Sequence, residues 1–355
     1  MVDQLLVSLA LAPSAGVVAS RILVDRLPPR VAVLGFTTAA VLFALASTAS
    51  LLAFGMPAAA GLIGFAPDLR AVARSWQIAV APLWASWTCL ALGAAVMISV
   101  AVTGRRQHDS LHAARAEAAA LPGTGEVVVI PDGRPDAFAL PGAPGRIVVT
   151  EGMLAALGDG RHQALFAHER AHLAGRHHRF AFTARLAAAA LPPLRPMVTL
   201  IDYAIERWAD EQAAQEVGDR RSVAQVVGTA ALAATEQADR PSTAAERADA
   251  PLADPGHGEP TRSTRPAGRP GLARPRRRRS GAVSPAMLRA GAPGRGPRPG
   301  PVPRRIAALL DAPLRGNYGL LLVALPAALA AASCGVAVEA LLDLPYRRVF
   351  ALAES

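Results

Sequence analysis

The stretch Gln163-Ala-Leu-Phe-Ala-His168-Glu169-Arg-Ala-His172-Leu-Ala-Gly175 decides how the rest of the chain is read. It carries the pattern His-Glu-x-x-His. Residues four apart share one face of a helix, so His168 and His172 can address a single ion. Neutral imidazoles at that spacing suit zinc, and Glu169 is then placed to act as a base on water. The flanking Ala164, Leu165, Ala167, Ala171 and Ala174 favour helix and no proline interrupts them. A helix is therefore predicted over 161–174, stopped by Gly175. The plain alternative is a surface helix with two chance histidines. With eight histidines in the whole chain, a match of this form is roughly a one-in-a-hundred coincidence.

Two carboxylates downstream extend the pattern. In Ile201-Asp-Tyr-Ala-Ile-Glu206-Arg-Trp-Ala-Asp210, Glu206 and Asp210 lie one helical turn apart on one face. Taken alone, this would be a solvated face of salt bridges. Beside His-Glu-x-x-His it offers what a two-histidine site lacks, a third protein ligand, with one position left open. Glu206 is the choice for that ligand. Asp210 would accept the other ring N–H of a ligand histidine and fix its tautomer. A competing pattern runs through His172-Leu-Ala-Gly175-Arg-His-His178, giving His-Glu-x-x-His-x-x-Gly-x-x-His. In that metzincin form His178 is the third ligand and Met197 is offered as the Met-turn. The basic run Arg176-His-His-Arg179 and the sequence Pro196-Met-Val speak against it, but Glu206 and His178 both stand as candidates.

Composition places this motif in a membrane setting. Of 355 residues 52% are apolar, the mean hydropathy is +0.29, and every basic side chain is Arg. The two cysteines, Cys89 and Cys334, fall in apolar runs, which excludes a thiolate zinc site and argues against a disulfide framework. The runs 31–56, 77–104 and 319–338 carry no charge, and about 20 helical residues cross a bilayer core. The run 4–20 is shorter and holds Pro13. Four spans are expected, with three as the fallback. Arg21, Arg26 and Arg30 in the first loop, against Arg70 and Arg74 in the second, favour a cytoplasmic first loop and a cytoplasmic segment 105–315.

Four units follow. Residues 1–104 form a membrane unit with three spans. Residues 105–236 form the metallopeptidase domain, with strands at 126–130 and 146–150. A short strand at 136–140, bounded by Pro135 and Pro141, belongs near an edge. Helices follow at 151–157 and 180–190. Residues 237–305 read as a disordered Arg/Pro/Gly-rich loop; from 239 on it holds 15 Arg against 5 acidic residues, a net charge equal to that of the whole chain. Its tract 274–279 could contact anionic lipid, whereas nucleic acid is not expected, since no aromatics interleave the arginines. Residues 306–355 hold the last span and a short tail. The fold class expected is a mainly α integral membrane protein of about four transmembrane helices. A small α+β zincin-like domain is inserted before the last span.

This arrangement resembles the BlaR/MecR-type membrane metallopeptidases, the antirepressor signal transducers of bacteria. The residues that carry the likeness are Asp136-Ala-Phe-Ala-Leu-Pro-Gly142, Ile147-Val-Val-Thr-Glu-Gly152, His168-Glu-x-x-His172 and Glu206-x-x-Ala-Asp210. It is similar also to the neighbouring HtpX and CAAX-protease family, which shares the Glu-x-x-Ala-Asp pattern. The resemblance implies zinc held by His168, His172 and Glu206, Glu169 as general base, Asp210 behind a ligand, and the Ala137-Phe138 strand beside the bound peptide. Asp136 stands where the related family usually has Asn. The chain ends at Ser355 without the extracellular sensor domain of the best-known members, so β-lactam sensing is not implied. The function expected is zinc-dependent endoproteolysis of a protein substrate at the cytoplasmic face of the cell membrane, in signal transduction or membrane-protein quality control. The alternative is a non-catalytic membrane scaffold or signal relay with a residual metal site.

Overall fold

The structure is a computed structural model that describes residues 5–62, 83–239 and 300–312, with the single positions 328 and 332. Among these residues it is mostly helical, with one small sheet. A π-helical turn, Val7–Leu11, leads into α1 (Ala12–Leu23), then α2 (Pro29–Leu62) and α3 (Leu83–Ala120). Two segments, Pro29–Met56 and Trp84–Ala120, are long and apolar enough to cross a membrane, which suggests membrane association. The other two expected spans are not matched in this way. The first run belongs to the shorter apolar helix Leu9–Leu23, and 319–338 lies outside the described residues apart from its two single positions.

α2 is the inner of the two long helices. Its stripe Ala32, Val33, Phe36, Ala39, Ala40 and Phe43 is fully buried or nearly so. At Gly16 a Cβ would come within 2.4 Å of the Phe43 ring, so α1 and α2 meet through a missing side chain, as small residues permit in apolar bundles. α3 exposes Trp84, Trp87, Leu92, Met97 and Ile98 among the described residues.

α3 does not stop where its apolar part does. Its 38 residues make a rod about 57 Å long at about 1.5 Å per residue. The polar half runs on to the sheet, where Ala114 and Ala118 pack against Leu140 and Val148. The boundary expected at 104/105 therefore falls inside a continuous helix.

The sheet has the order β1-β3-β2, from β1 (Val127–Ile130), β2 (Ala137–Leu140) and β3 (Arg146–Thr150). β1 pairs parallel to β3, with Val128 opposite Val148; β2 pairs antiparallel, with Phe138 opposite Val148. β3 is buried along its whole length, as a β-branched central strand should be. β2 is an edge strand, in keeping with its flanking prolines. Thr150 then caps α4 (Glu151–Leu157), its hydroxyl accepting from Met153 N–H at 3.2 Å.

The remaining helices are α5 (His162–Ala174), α6 (His177–Ala190), α7 (Arg195–Val217), α8 (Arg220–Asp239) and α9 (Pro301–Leu310), with a 3-10 turn at Pro192–Leu194. Two cores hold them. In the first, Ala184, Ala187, Leu194, Met197, Ile201 and Ala204 of α6, α7 and their connection pack on the α2 stripe. In the second, α5 and α8 sandwich Ile147, Val149, Met153 and Leu157.

α9 corrects the expected domain layout. Residues 300–305 were assigned to the loop and 306–310 to the last membrane unit, yet they form one docked helix. Leu309 is buried, with Val302 and Ile306 packed on the second core. Arg220 donates to Ala308 O and Leu309 O at 2.9 and 2.8 Å. Arg304 pairs with Asp25 at 2.5 Å, and Asp25 also accepts from Tyr203 Oη at 2.9 Å. The tract 274–279, with its expected lipid contact, lies outside the described residues.

Candidate metal centre

α5 and α7 build the site between them. The spacing of four on α5 puts His168 and His172 on one face, with their Nε2 atoms 3.1 Å apart. α7 brings Glu206, whose two carboxylate oxygens lie 3.6 Å from His168 Nε2 and 3.6 Å from His172 Nε2. Among the described residues this is the one group of three whose ligand atoms converge, all within 4.8 Å of one another.

The residues fit a metal ion on two counts. Ligands about 2.0–2.1 Å from a tetrahedral ion stand roughly 3.3 Å apart, and the three measured separations bracket that value. Oε1 of Glu206 is buried with no hydrogen-bond partner, and Oε2 has only the Arg305 guanidinium at 3.1 Å; a buried carboxylate so incompletely satisfied favours a further cation on the side of the histidines.

Behind these groups stands a second layer of charge. His168 Nδ1 lies 3.0 Å from Asp210 Oδ1, which fixes the ring so that Nε2 faces the centre. Arg305 of α9 donates to both oxygens of Asp210 at 2.7 Å each and lies 3.1 Å from Glu206 Oε2. Nothing in the sequence pointed to Arg305. Its side chain is buried, and its carboxylate partners are the reason it can be.

The electrostatics follow from burial and these partners. Burial alone would lower the pKa of His168, but hydrogen bonds to Asp210 and Glu206, with their charges, raise it to about 9 in the metal-free protein. His172, with burial dominant, falls to about 4. Glu206 is pushed up by burial, yet Arg305 first, then the two histidines, hold it at about 2. Asp210 is held lower still, burial again being outweighed by Arg305. Glu169 goes the other way: burial raises its carboxyl to about 7.

A second residue missed by the sequence reading is His177. Its Nδ1 lies 3.1 Å from His172 Nδ1, and its buried ring sits 4.6 Å from that of Trp208. The turn that brings it there depends on two local features. Arg176 adopts a left-handed conformation with φ 49°, and at Gly175 a Cβ would come within 2.3 Å of His177 Nε2. The sequence signal was the glycine, read there as a helix stop. His178, the competing third ligand, is not among the converging groups and lines the cavity beyond them. Met197, the residue offered for a Met-turn, is fully buried in the first core.

A cavity of about 510 Å³ opens onto Glu169, His172 and Glu206. Phe138 and Ala139 of β2 form part of its wall. Ala137, expected beside the substrate with Phe138, turns its side chain into the second core. Ala139, two residues on, lines the cavity.

Against protein-family models the chain matches Peptidase family M48 over residues 103–191. Those residues span the polar half of α3, the sheet and α4 to α6, so they include His168, Glu169 and His172 but end before Glu206, Asp210 and Arg305. Searches of curated proteins and of solved structures give no match. The match makes this segment similar to a peptidase family, and His168, His172 and Glu206 converge as a candidate metal site.

Proposed function

We propose that this chain is a membrane-associated, zinc-dependent endopeptidase. The observation that carries the reading is the buried carboxylate of Glu206, its Oε1 without a donor, facing two imidazoles, with Glu169 at the same cavity. His168, His172 and Glu206 would hold the ion. A zinc ion there supplies a Lewis acid that activates water near neutrality and polarises a carbonyl.

The rest of the chemistry belongs to the chain. Glu169, at the same cavity, takes a proton from the attacking water and passes it to the leaving amine. Asp210 holds His168 in one tautomer, and Arg305 keeps Asp210 ionised. The open edge of β2 offers backbone groups to an extended peptide, with Phe138 and Ala139 beneath it. The arginine distribution favours the cytoplasmic face for this domain, and the BlaR/MecR resemblance favours a cytosolic regulator or a membrane protein under quality control as substrate.

The test is cleavage of an unfolded protein such as casein by the detergent-purified chain. Glu169→Gln should abolish cleavage while zinc stays bound. Cleavage that survives this substitution, or survives removal of zinc by a chelator, would sink the proposal.

A further inference from the structure

The cavity beside the metal centre carries a charge that the catalytic groups do not consume. Arg305, which also touches it, is taken up by Asp210 and Glu206. Away from the centre the wall holds three guanidiniums, Arg115, Arg179 and Arg185, against one carboxylate, Asp202. Arg185 lies 3.7 Å from that carboxylate. Arg115 and Arg179 have no ion pair with any described residue. Both are exposed, so their charge faces whatever enters.

Both line the cavity and both act on His178, so they stand near one place. Arg115 follows Ala114, which packs against Leu140 of β2 and Val148 of β3, so it stands beside the strand whose edge is open. Arg179 is two residues beyond His177, at the start of α6. His178, between the two arginines on the cavity wall, is held below its ordinary pKa by burial first and then by the charges of Arg179, Arg115 and Arg176. A neutral imidazole beside several guanidiniums leaves the wall short of anions.

We propose that this cavity selects protein segments bearing an acidic side chain next to the bond to be cut, held by Arg115 and Arg179 along the open edge of β2. The inference rests on the peptidase reading above. It favours a peptide over an anionic lipid headgroup because the same cavity holds Glu169 and His172, with Phe138 and Ala139 of β2 in its wall. Both arginines are exposed, so the preference is moderate and salt-dependent: about tenfold for a pair of such contacts at low salt.

The experiment uses the full chain, zinc-loaded and carrying Glu169→Gln, in neutral detergent. Three fluorescein-labelled decapeptides, identical except for two central residues that are Glu, Gln or Lys, are titrated by anisotropy. The Glu peptide should bind about tenfold more tightly than the Gln peptide, and the gap should close at high salt. Arg115→Glu with Arg179→Glu should invert the order in favour of the Lys peptide while zinc content stays unchanged. Equal affinity for all three peptides, including no binding of any, overturns the proposal. So does an acidic preference that the double variant leaves intact, or one that vanishes when phosphatidylglycerol but not phosphatidylcholine is added, since the arginines would then serve lipid. Cleavage by the unaltered chain is read separately. Cleavage without charge preference removes this inference and keeps the peptidase; charge preference without cleavage does the reverse.

Discussion

Arg305 and Asp210 face each other through two parallel hydrogen bonds of 2.7 Å, both side chains buried. The pair joins α9 to α7, and through Asp210 it reaches His168. Fork-to-carboxylate geometry of this kind is specific to arginine.

Removing one partner should be worse than removing both. Arg305→Met leaves Asp210 buried with His168 as its one remaining partner and strips Glu206 of its guanidinium, a loss of about 3–5 kcal/mol. Arg305→Met combined with Asp210→Leu should recover part of that stability but not zinc binding, because His168 then lacks its anchor. Denaturation midpoints and zinc content of the three proteins check this. A double variant no more stable than the single one would count against the pairing.

Metal loading should release a proton. His168 sits at about 9 without metal, so at neutral pH it is protonated and must lose that proton to bind an ion. Calorimetry of zinc binding at pH 7 in buffers of different ionisation enthalpy should report about one proton released. The same shift has a sign for stability. A folded pKa raised above the unfolded value gives stability that is complete below about 6.5 and is lost as pH rises through about 9. The metal-free protein should therefore melt at lower temperature at pH 9 than at pH 6.5, through His168.

His177 should act on the metal through His172. His177→Phe keeps a ring against Trp208 but offers no nitrogen to His172 Nδ1. Zinc affinity, measured by competition with a chelator, should fall by about 10- to 100-fold. The melting temperature should move little, and His177→Gln should restore part of the affinity. Unchanged affinity in the phenylalanine variant would reduce His177 to packing.

Gly175→Ala tests the turn that delivers His177. A Cβ there meets His177 Nε2 at 2.3 Å and Ala171 O at 3.1 Å, so the ring must shift or the helix end must open. Either outcome costs about 1–3 kcal/mol. The zinc affinity should drop as it does in His177→Phe.

Much of the centre was legible because its parts are local. The spacing of four in His168-Glu-x-x-His172 and again from Glu206 to Asp210 fixes a helix face without knowledge of the fold. Two strands announced themselves through β-branched runs, and the short one at 136–140 through the prolines that bound it. What stayed hidden lies elsewhere in the chain or depends on one dihedral. Arg305 is 95 positions from Asp210 and stands at the end of an arginine-rich stretch, where one guanidinium looks like the next. His177 becomes the partner of His172 only because Arg176 takes a left-handed turn, and no periodicity reports that. The same blindness placed a domain boundary inside α3, whose change from apolar to polar marks a change of surroundings and not an end of helix.

The position of α9 also sets an order in time. Asp210 and Glu206 are synthesised about 95 residues before the guanidinium that balances them, with the second core left open until Leu309 arrives. A chain still growing on the ribosome therefore holds the whole His-Glu-x-x-His helix and both carboxylates, yet lacks their counter-charge. The centre is completed only when translation has passed α9, so an emerging chain is kept from forming the finished site too early.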